Sequence, residues 1–230
     1  MRITRSCTAL AILLVSAACD DHTEGAPSAQ VSAPEPTPTP TEANDRAPVV
    51  PDERREVAFD TSRSTLGFVG AKITASHEGS FGEWSGTARL GDAIEDTGVE
   101  ITIQMASVRI DPERLNTHLR SPDFFDVERF PQATFTSTTI APHHAGSHDD
   151  RPPPDLEVTH DVTGRLTLHG VSRAITFPAR ITRDAQELRA RAQFTINRRD
   201  FQIVYPGMPD DLIQDEVMIR FDVVAPIPAS

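Results

Sequence analysis

The sequence predicts an all-β domain, in which antiparallel strands close around an apolar interior and a short helical plug covers one end. Two observations support this prediction. Apolar residues recur at every second position in many segments, which is the period of a strand with one buried face. In addition, Phe124 and Phe125 stand side by side in a connecting segment. Something must cover this pair, because an exposed loop gains nothing from two phenylalanines.

The first nineteen residues, MRITRSCTALAILLVSAAC, have the features of a secretory signal. Arg2 and Arg5 form a basic start, and the apolar run over residues 7–18 is too short for a permanent membrane span. Small residues precede Cys19, in a pattern that resembles a bacterial lipoprotein cleavage site. We therefore expect Cys19 to be lipidated and to anchor the protein in the cell envelope, facing the periplasm, with the choice of membrane left open. Ordinary secretion with cleavage nearby is the alternative.

Residues 20–54 are expected to form a disordered, proline-rich tether. The run PEPTPTPTEANDRAP has proline at every second position from Pro34 to Pro40 and no apolar periodicity. Such a segment buries too little surface to fold. At roughly 3.1 Å per residue, an extended tether of this length would reach about 100 Å. The folded domain is then predicted to occupy residues 55–230, with a loose surface loop over residues 142–155.

The net charge of the chain is −12, and it becomes −14 if the signal with Arg2 and Arg5 is removed. A strongly acidic surface repels phosphate backbones, so nucleic-acid binding is excluded. Anionic lipid headgroups would not attract the domain either, and membrane attachment would depend on the lipid anchor. The two cysteines are Cys7 and Cys19, so the mature domain is predicted to fold without a disulfide.

The strands are predicted in order along the chain. Early strands over residues 56–59, 64–74 and 81–90 contain glycines that suit the bends or bulges of a closed sheet. Later segments alternate between apolar and polar residues, at positions 99–105, 132–140, 158–168, 175–181, 188–196 and 217–223. Since each strand has a single apolar face, the strands must close into a barrel or stack as two sheets.

A plug is predicted between two of these strands. Asp111-Pro112 has the pattern of a helix N-cap followed by proline at the first helical position. The helix would continue to about residue 119, and Ser121-Pro122 would begin a second short turn. The apolar side chains that would cover one mouth of the barrel are Leu115, Leu119, Phe124 and Phe125.

The strand pattern leaves the interior open to two interpretations. The inward residues either fill the barrel, as they do in many small barrels, or line a cavity for an apolar molecule. The pattern alone favours the filled barrel.

Nothing in the sequence predicts catalysis. The mature chain has no cysteine nucleophile, no Gly-x-Ser-x-Gly elbow, no P-loop and no Gly-x-Gly-x-x-Gly motif. The expectation is that the protein is not an enzyme and has no cofactor. A group of histidines and acids would suit zinc or copper, but it lies in a proline-flanked loop without a fixed second shell, so no metal site is predicted. These residues are His143, His144, His148, Asp149 and Asp150.

Several blocks of the sequence together resemble the YceI-like, polyisoprenoid-binding family. They are FVGAKITASHEGSFGEWSGTARL, HLRSPDFFDVERFPQATFTST, VTGRLTLHGVSRAITFPARI and FTINRRDFQIVYPGMPDDLIQDEVMIRFDVVA, in that order. The resemblance covers residues 56–225. It implies an extended lipocalin-like antiparallel barrel of about eight strands. Its tunnel would hold a long isoprenoid chain, which reverses the preference for a filled interior.

The resemblance also aligns individual residues. His77 falls at the position of the family's early histidine, and Arg198 falls at the position of its late basic residue. Two departures are the long, histidine-rich loop over residues 142–155 and Gln202, where a glycine is common. Neither departure touches the apolar lining.

The expected function is to bind and sequester or carry a long-chain isoprenoid-type lipid, with a quinone as one candidate. Polar residues at a mouth would orient the headgroup, and the candidates are His118, Arg120 and Arg198. Alternatives are an envelope stress-protection factor, a lipid-modifying enzyme and a structural module with a filled barrel; a homodimer is left open. The expected lining residues are Phe68, Phe81, Trp84, Ile101, Ile103, Met105, Leu119, Phe124, Phe125, Phe135, Leu166, Leu168, Phe177, Phe194, Ile196 and Phe221.

Overall fold

The computed structural model describes residues 26–32, 55–144, 156–209 and 211–229. The predicted lipidation site, Cys19, lies outside these ranges, as do His148, Asp149 and Asp150 of the histidine-rich loop. Within them, no helix is both long enough and apolar enough to cross a bilayer.

Strands dominate the described part of the chain. One α-helix, α1, spans Arg114–Arg120, and two 3₁₀ turns span Met105–Ser107 and Arg198–Phe201. The strands are β1 (Gln30–Val31), β2 (Arg55–Asp60), β3 (Thr65–Lys72), β4 (Ala75–Phe81), β5 (Trp84–Leu90), β6 (Gly98–Gln104), β7 (Val108–Ile110), β8 (Gln132–Pro142), β9 (His160–Leu168), β10 (Val171–Arg183), β11 (Glu187–Asn197), β12 (Gly207–Met208), β13 (Asp211–Leu212) and β14 (Glu216–Pro226).

Twelve of the described strands form one curled sheet. Its order is β2-β5-β6-β8-β9-β10-β11-β14-β3-β4-β7, with β1 added beside β10. Every strand pair in this sheet is antiparallel, which confirms the predicted all-β, barrel-like fold. The sheet has more than the predicted eight or so strands, because short pieces such as β1 and β7 show no alternation that would reveal them.

The register between β11 and β14 explains the alternating pattern. Phe194 pairs with Ile219, and Ile196 pairs with Val217, so these apolar residues share the inner face. One residue out of phase, Arg189 lies on the outer face, where its Nε donates a hydrogen bond of 2.8 Å to Asp222 Oδ1. A period of two therefore separates an apolar interior from a charged exterior.

Glycine allows aromatic rings to lie directly on the inner face of the sheet. A Cβ atom on Gly164 would be 2.3 Å from the ring of Phe135, and one on Gly86 would be 2.3 Å from the ring of Phe59. Any side chain at these positions would force the rings away from the backbone. The two glycines thus serve close packing as well as strand curvature.

The helical plug is present, but its predicted start is wrong. The helix begins at Arg114, and the N-cap residue is Glu113, whose side chain makes no capping hydrogen bond. Backbone groups close the first turn, since the amide of Leu115 donates to the carbonyl oxygen of Pro112 at 2.9 Å. A side-chain cap from Asp111 is therefore not needed.

Residues 26–32 correct part of the predicted tether. Strands β10 and β11 pair only between residues 180–183 and 188–191, and this segment occupies the gap beyond. The amide of Ala29 donates to the carbonyl oxygen of Thr195 at 2.8 Å, and the amide of Ser32 donates to that of Ala174 at 2.9 Å. Pro27 is fully buried, and Ala29 and Val31 pack against the core. The segment alternates between apolar and other residues as P-x-A-x-V, but this pattern is too short to stand out from the polar sequence around it.

Candidate functional site

The barrel encloses a cavity of about 260 Å³ whose wall exposes only apolar atoms. The interior is thus not completely filled by side chains. All the residues predicted to line it do so except Trp84. Trp84 is buried but packs edge-on against Phe59, with ring centroids 6.3 Å apart.

Aromatic rings dominate one stretch of the wall. Phe177 and Phe194 are stacked, with centroids 4.2 Å apart and planes 8° from parallel. Phe221 meets Phe177 edge-on at 5.9 Å, and Phe135 lies 5.7 Å from Phe177 on another side. Because ring faces bury large apolar areas at little entropic cost, this cluster offers a firm contact surface for an apolar chain.

Small residues keep the cavity open. Ala88, Ala133, Ala179 and Ala190 all contribute to the wall, at positions where larger side chains would fill the interior. Sequence reasoning concentrated on the large apolar residues and missed these. The signal that could have identified them is alanine at the inward phase of an otherwise bulky strand, as in the ITFPARI stretch of β10.

Two further wall residues come from a connection without any strand pattern. Ile203 and Ile213 border the cavity from the segment between β11 and β14. No alternation surrounds them, so neither was predicted. The carbonyl oxygens of both residues accept hydrogen bonds from the guanidinium group of Arg198, at 2.7 Å for Ile203 and 3.4 Å for Ile213.

Arg198 is a buried cation at the edge of the apolar wall. Its side chain is only 4% exposed. The guanidinium group donates to the carbonyl oxygens of Ile203 at 2.7 Å and Gln214 at 3.0 Å, and to Asp215 Oδ1 at 2.9 Å. Burial lowers its pKa from the ordinary value, and the charge of Asp215 opposes that shift. These contacts tie the connecting segment to the barrel.

The plug covers the mouth at one end of the cavity. Leu119, Phe124 and Phe125 border the cavity, whereas Leu115 is half-buried and does not reach it. Phe125 packs against Phe81 of β4, with centroids 6.1 Å apart, and Phe124 packs against Tyr205 at 5.3 Å. The phenylalanine pair is thus covered because it closes the barrel.

Of the other two headgroup candidates, only His118 stands beside the mouth. Its ring meets Phe124 and Tyr205 edge-on, both at 4.9 Å. Its Nε2 lies 2.9 Å from Asp123 Oδ2. Arg120 is exposed and donates to the carbonyl oxygen of Val108 at 3.1 Å, away from the cavity wall.

Two further histidines of the described residues make structural contacts. His77 Nδ1 lies 3.1 Å from the carbonyl oxygen of Asp111, so it links β4 to the start of the plug. His143 Nδ1 lies 2.8 Å from Asp161 Oδ1. Among the described residues, no three His, Cys, Asp or Glu side chains are arranged to hold a metal ion.

Comparison with known proteins identifies a matching family and several relatives. The family model described as "YceI-like domain" matches residues 58–225. A UPF0312 protein of Pseudomonas fluorescens (strain SBW25) is 30% identical over 149 residues, which cover 62% of this chain and 71% of the relative. One from Pseudomonas savastanoi pv. phaseolicola (strain 1448A / Race 6) is 31% identical over 166 residues, covering 69% of this chain and 77% of the relative.

Two solved structures have similar folds. The crystal structure of Burkholderia cenocepacia BcnA aligns with a TM-score of 0.60 and 27% identity, covering 73% of this chain and 99% of that one. A polyisoprenoid binding domain from Saccharophagus degradans, implicated in plant cell wall breakdown, aligns with a TM-score of 0.57 and 20% identity. That alignment covers 76% of this chain and all of the other, and shows similarity of fold alone.

Proposed function

Because this chain belongs to the YceI-like domain family, we propose that its barrel binds a long-chain isoprenoid-type lipid and carries or sequesters it in the cell envelope. The observation that supports this most directly is a cavity with an entirely apolar wall. Each CH₂ group that leaves water for such a wall contributes roughly 0.8 kcal/mol. No catalytic group is needed, and the protein acts as a binder and not as an enzyme.

The proposed ligand class is based on the cavity wall and on one solved structure of similar fold. The Saccharophagus degradans structure of similar fold is described as a polyisoprenoid binding domain. The aromatic cluster around Phe177 suits a branched, unsaturated chain, which packs well against ring faces. At about 260 Å³, the cavity is slightly below the range of roughly 300–1,000 Å³ usual for ligand sites. A long chain would therefore need wall side chains to shift rotamer or would extend through the mouth.

The headgroup is proposed to remain at the mouth, next to His118 and Tyr205. These rings and Phe124 surround the plug end of the cavity, and a quinone ring would find aromatic edges and faces there. Envelope location and attachment through a lipid on Cys19 complete the proposal, and both come from the sequence pattern of the first nineteen residues.

Gly70 offers a test that blocks the cavity without disturbing its wall. Gly70 borders the cavity, and a Cβ atom there would meet nothing within 4 Å. We expect Gly70→Leu to fill the space, to leave the melting temperature unchanged, and to reduce the lipid that organic solvent extracts from purified protein, measured by mass spectrometry. Lipid bound equally to the variant and to the unmodified chain would contradict the proposed site.

A matched control is available in β6. A Cβ on Gly98 would have a single neighbour, Arg89 Nε, at an ordinary 3.9 Å, and Gly98 does not border the cavity. Gly98→Leu is therefore the same change at a strand position outside the cavity wall, and its lipid content is expected to equal that of the unmodified chain. If the unmodified chain repeatedly carries no lipid and takes up no long polyprenol, lipid binding itself is wrong.

A further inference from the structure

The large apolar side chains that stand out into solvent gather at the plug end of the barrel. Among the described residues they are four: Ile73, 67% exposed, Val204, 58%, Met208, 61%, and Leu212, 46%. We call these four residues the exposed patch. Single exposed apolar residues are ordinary on a protein surface, but a group at one place indicates a contact surface.

The exposed patch is held together by specific contacts. The amide of Ile73 donates to the carbonyl oxygen of Leu212 at 3.1 Å. The ion pair between Lys72 and Asp211 joins the same two segments. Strand β12 pairs with β13, with Met208 opposite Asp211 and Gly207 opposite Leu212. The patch is thus a fixed surface composed of the β3–β4 turn and the segment between β11 and β14.

Two residues of the exposed patch are the direct sequence neighbours of cavity-wall residues. Val204 follows Ile203 and Leu212 precedes Ile213, and both isoleucines belong to the cavity wall. Tyr205, which follows Val204 in the chain, packs against Phe124 of the plug. An apolar molecule that leaves the mouth along these residues would exchange one apolar surface for another.

We propose that the exposed patch inserts into the neutral surface of a phospholipid bilayer and lets lipid pass between that bilayer and the cavity. This proposal rests on the proposed function. Insertion is driven by apolar contact, because the chain carries a net charge of −12 and gains no attraction to anionic headgroups. The charged groups beside the patch are paired, Asp211 with Lys72 and Asp215 with Arg198 and Arg199, so they add no net attraction to anionic headgroups.

The length of chain before the barrel supports a bilayer as the partner. Ser28 forms a bridge with Thr195, three residues before Arg198, which is about 10 Å along a strand. Six residues, Asp20 to Gly25, separate Cys19 from this fixed segment, so Ala26 lies at most about 25 Å from Cys19. A lipid on Cys19 would therefore hold the plug end within reach of the membrane surface.

A site-specific label tests the insertion. The chain after Cys19 contains no cysteine. When Met208→Cys is introduced into a chain that starts at residue 20, a single environment-sensitive fluorophore can therefore be attached at position 208. With vesicles of pure phosphatidylcholine, we expect a blue shift and a gain in intensity at position 208, and a smaller response when phosphatidylglycerol is added. The control is Ala185→Cys, in the exposed β10–β11 turn at the other end of the barrel, which should not respond.

Each other outcome overturns the proposal. Equal responses at positions 208 and 185, or none at 208, mean that the exposed patch does not insert. A blue shift that grows with protein concentration in the absence of vesicles means that a second copy of the chain covers the patch. These vesicles contain no isoprenoid, so the result does not depend on cargo binding.

Transfer kinetics test the consequence. The variant that combines Ile73→Ser, Val204→Ser, Met208→Ser and Leu212→Ser should take up a fluorescent polyprenol from phosphatidylcholine vesicles at least about tenfold more slowly, while the amount bound at equilibrium stays the same. The apolar control combines Ile73→Val, Val204→Ile, Met208→Leu and Leu212→Ile and should keep the original rate. Equal rates in all three proteins would overturn the proposal. A chain that binds no polyprenol would refute the proposed function and leave the label result to decide on insertion.

Discussion

Arg198 shows how a single residue can combine a charge with an apolar site. Its hydrogen bonds go to the carbonyl oxygens of Ile203 and Gln214 and to Asp215, so its charge is balanced by the protein. A buried charge with these partners costs little, whereas removing the guanidinium group would leave its acceptors unsatisfied. The geometry therefore favours a positioning role for Arg198 over the headgroup contact that the sequence predicted.

A substitution distinguishes these two roles. We expect Arg198→Met to lower the free energy of unfolding by about 2–4 kcal/mol, because several carbonyl oxygens lose their buried donor and Asp215 keeps only its contact with Arg199. Urea denaturation of the purified chain measures this loss. Arg198→Lys should be intermediate, since an ammonium group cannot reach all the acceptors at once. Full stability combined with altered lipid selectivity would instead support a headgroup contact.

Residue by residue, the sequence predicts the large side chains of the wall well, and the reason is periodicity. Phe177 and Phe194 occupy inward positions of long strands, so alternation assigns them directly. Trp84 begins a strand, and its packing against Phe59 depends on a neighbour that is distant in sequence. Ile203 and Ile213 are placed by the hydrogen bonds of Arg198, which no local pattern reveals.

At the scale of elements, charges on the outer face join neighbouring strands. Asp222 of β14 accepts hydrogen bonds from Arg189 of β11 and lies 3.6 Å from Arg191. The hydrogen bond from Arg189, followed by the charges of both arginines, holds the pKa of Asp222 below its ordinary value of 3.8, although partial burial opposes the shift. The same contact raises the pKa of Arg189.

The lowered pKa of Asp222 predicts a pH dependence of stability. A carboxyl group whose pKa is lower in the folded state stabilises the fold fully above its unfolded pKa, and this contribution is lost as the pH falls through the folded pKa. Asp222→Asn should therefore lower stability at pH 7, by less than about 1 kcal/mol because both partners are partly exposed. Urea denaturation from pH 7 to pH 2 should show the difference disappearing at acid pH. The exposed Asp92→Asn serves as control, and a difference that persists at pH 2 would contradict this assignment.

Elements with strong local signals were predictable, and those that depend on partners were not. The long strands and α1 follow from their apolar spacing. The helix start was misplaced because the pattern at Asp111 resembles a cap, yet the backbone closes that turn without it. The strands β1, β12 and β13 have two residues each, too few for any periodicity. Strand β1 forms because β10 offers unpaired backbone groups, and β12 and β13 pair with each other.

For the whole molecule, the composition of residues 20–54 predicted a tether that leaves the barrel independent. The structure instead places residues 26–32 between β10 and β11, where the two long strands separate. A segment between two strands satisfies groups on both, since the amide of Thr195 also donates to the carbonyl oxygen of Pro27 at 2.9 Å.

Removing this segment should therefore destabilise the domain. We expect a chain that starts at residue 55 to lose about 2–4 kcal/mol of unfolding free energy relative to one that starts at residue 20, because hydrogen bonds and apolar contacts are both removed. Thermal unfolding and light scattering measure the loss and the resulting association. A chain that starts at residue 26 is the control and should behave like the longer one; equal stability for all three would show that the segment is dispensable.

The residues that match the family model and the residues that form the barrel are consequently different in this chain. The family match begins at residue 58, while the barrel wall begins at residue 26. A domain cut at the homology boundary would have two unpaired strand edges facing solvent, which are sites where proteins aggregate. In this protein, the segment that fills the gap between β10 and β11 comes from the proline-rich region whose composition predicts a tether.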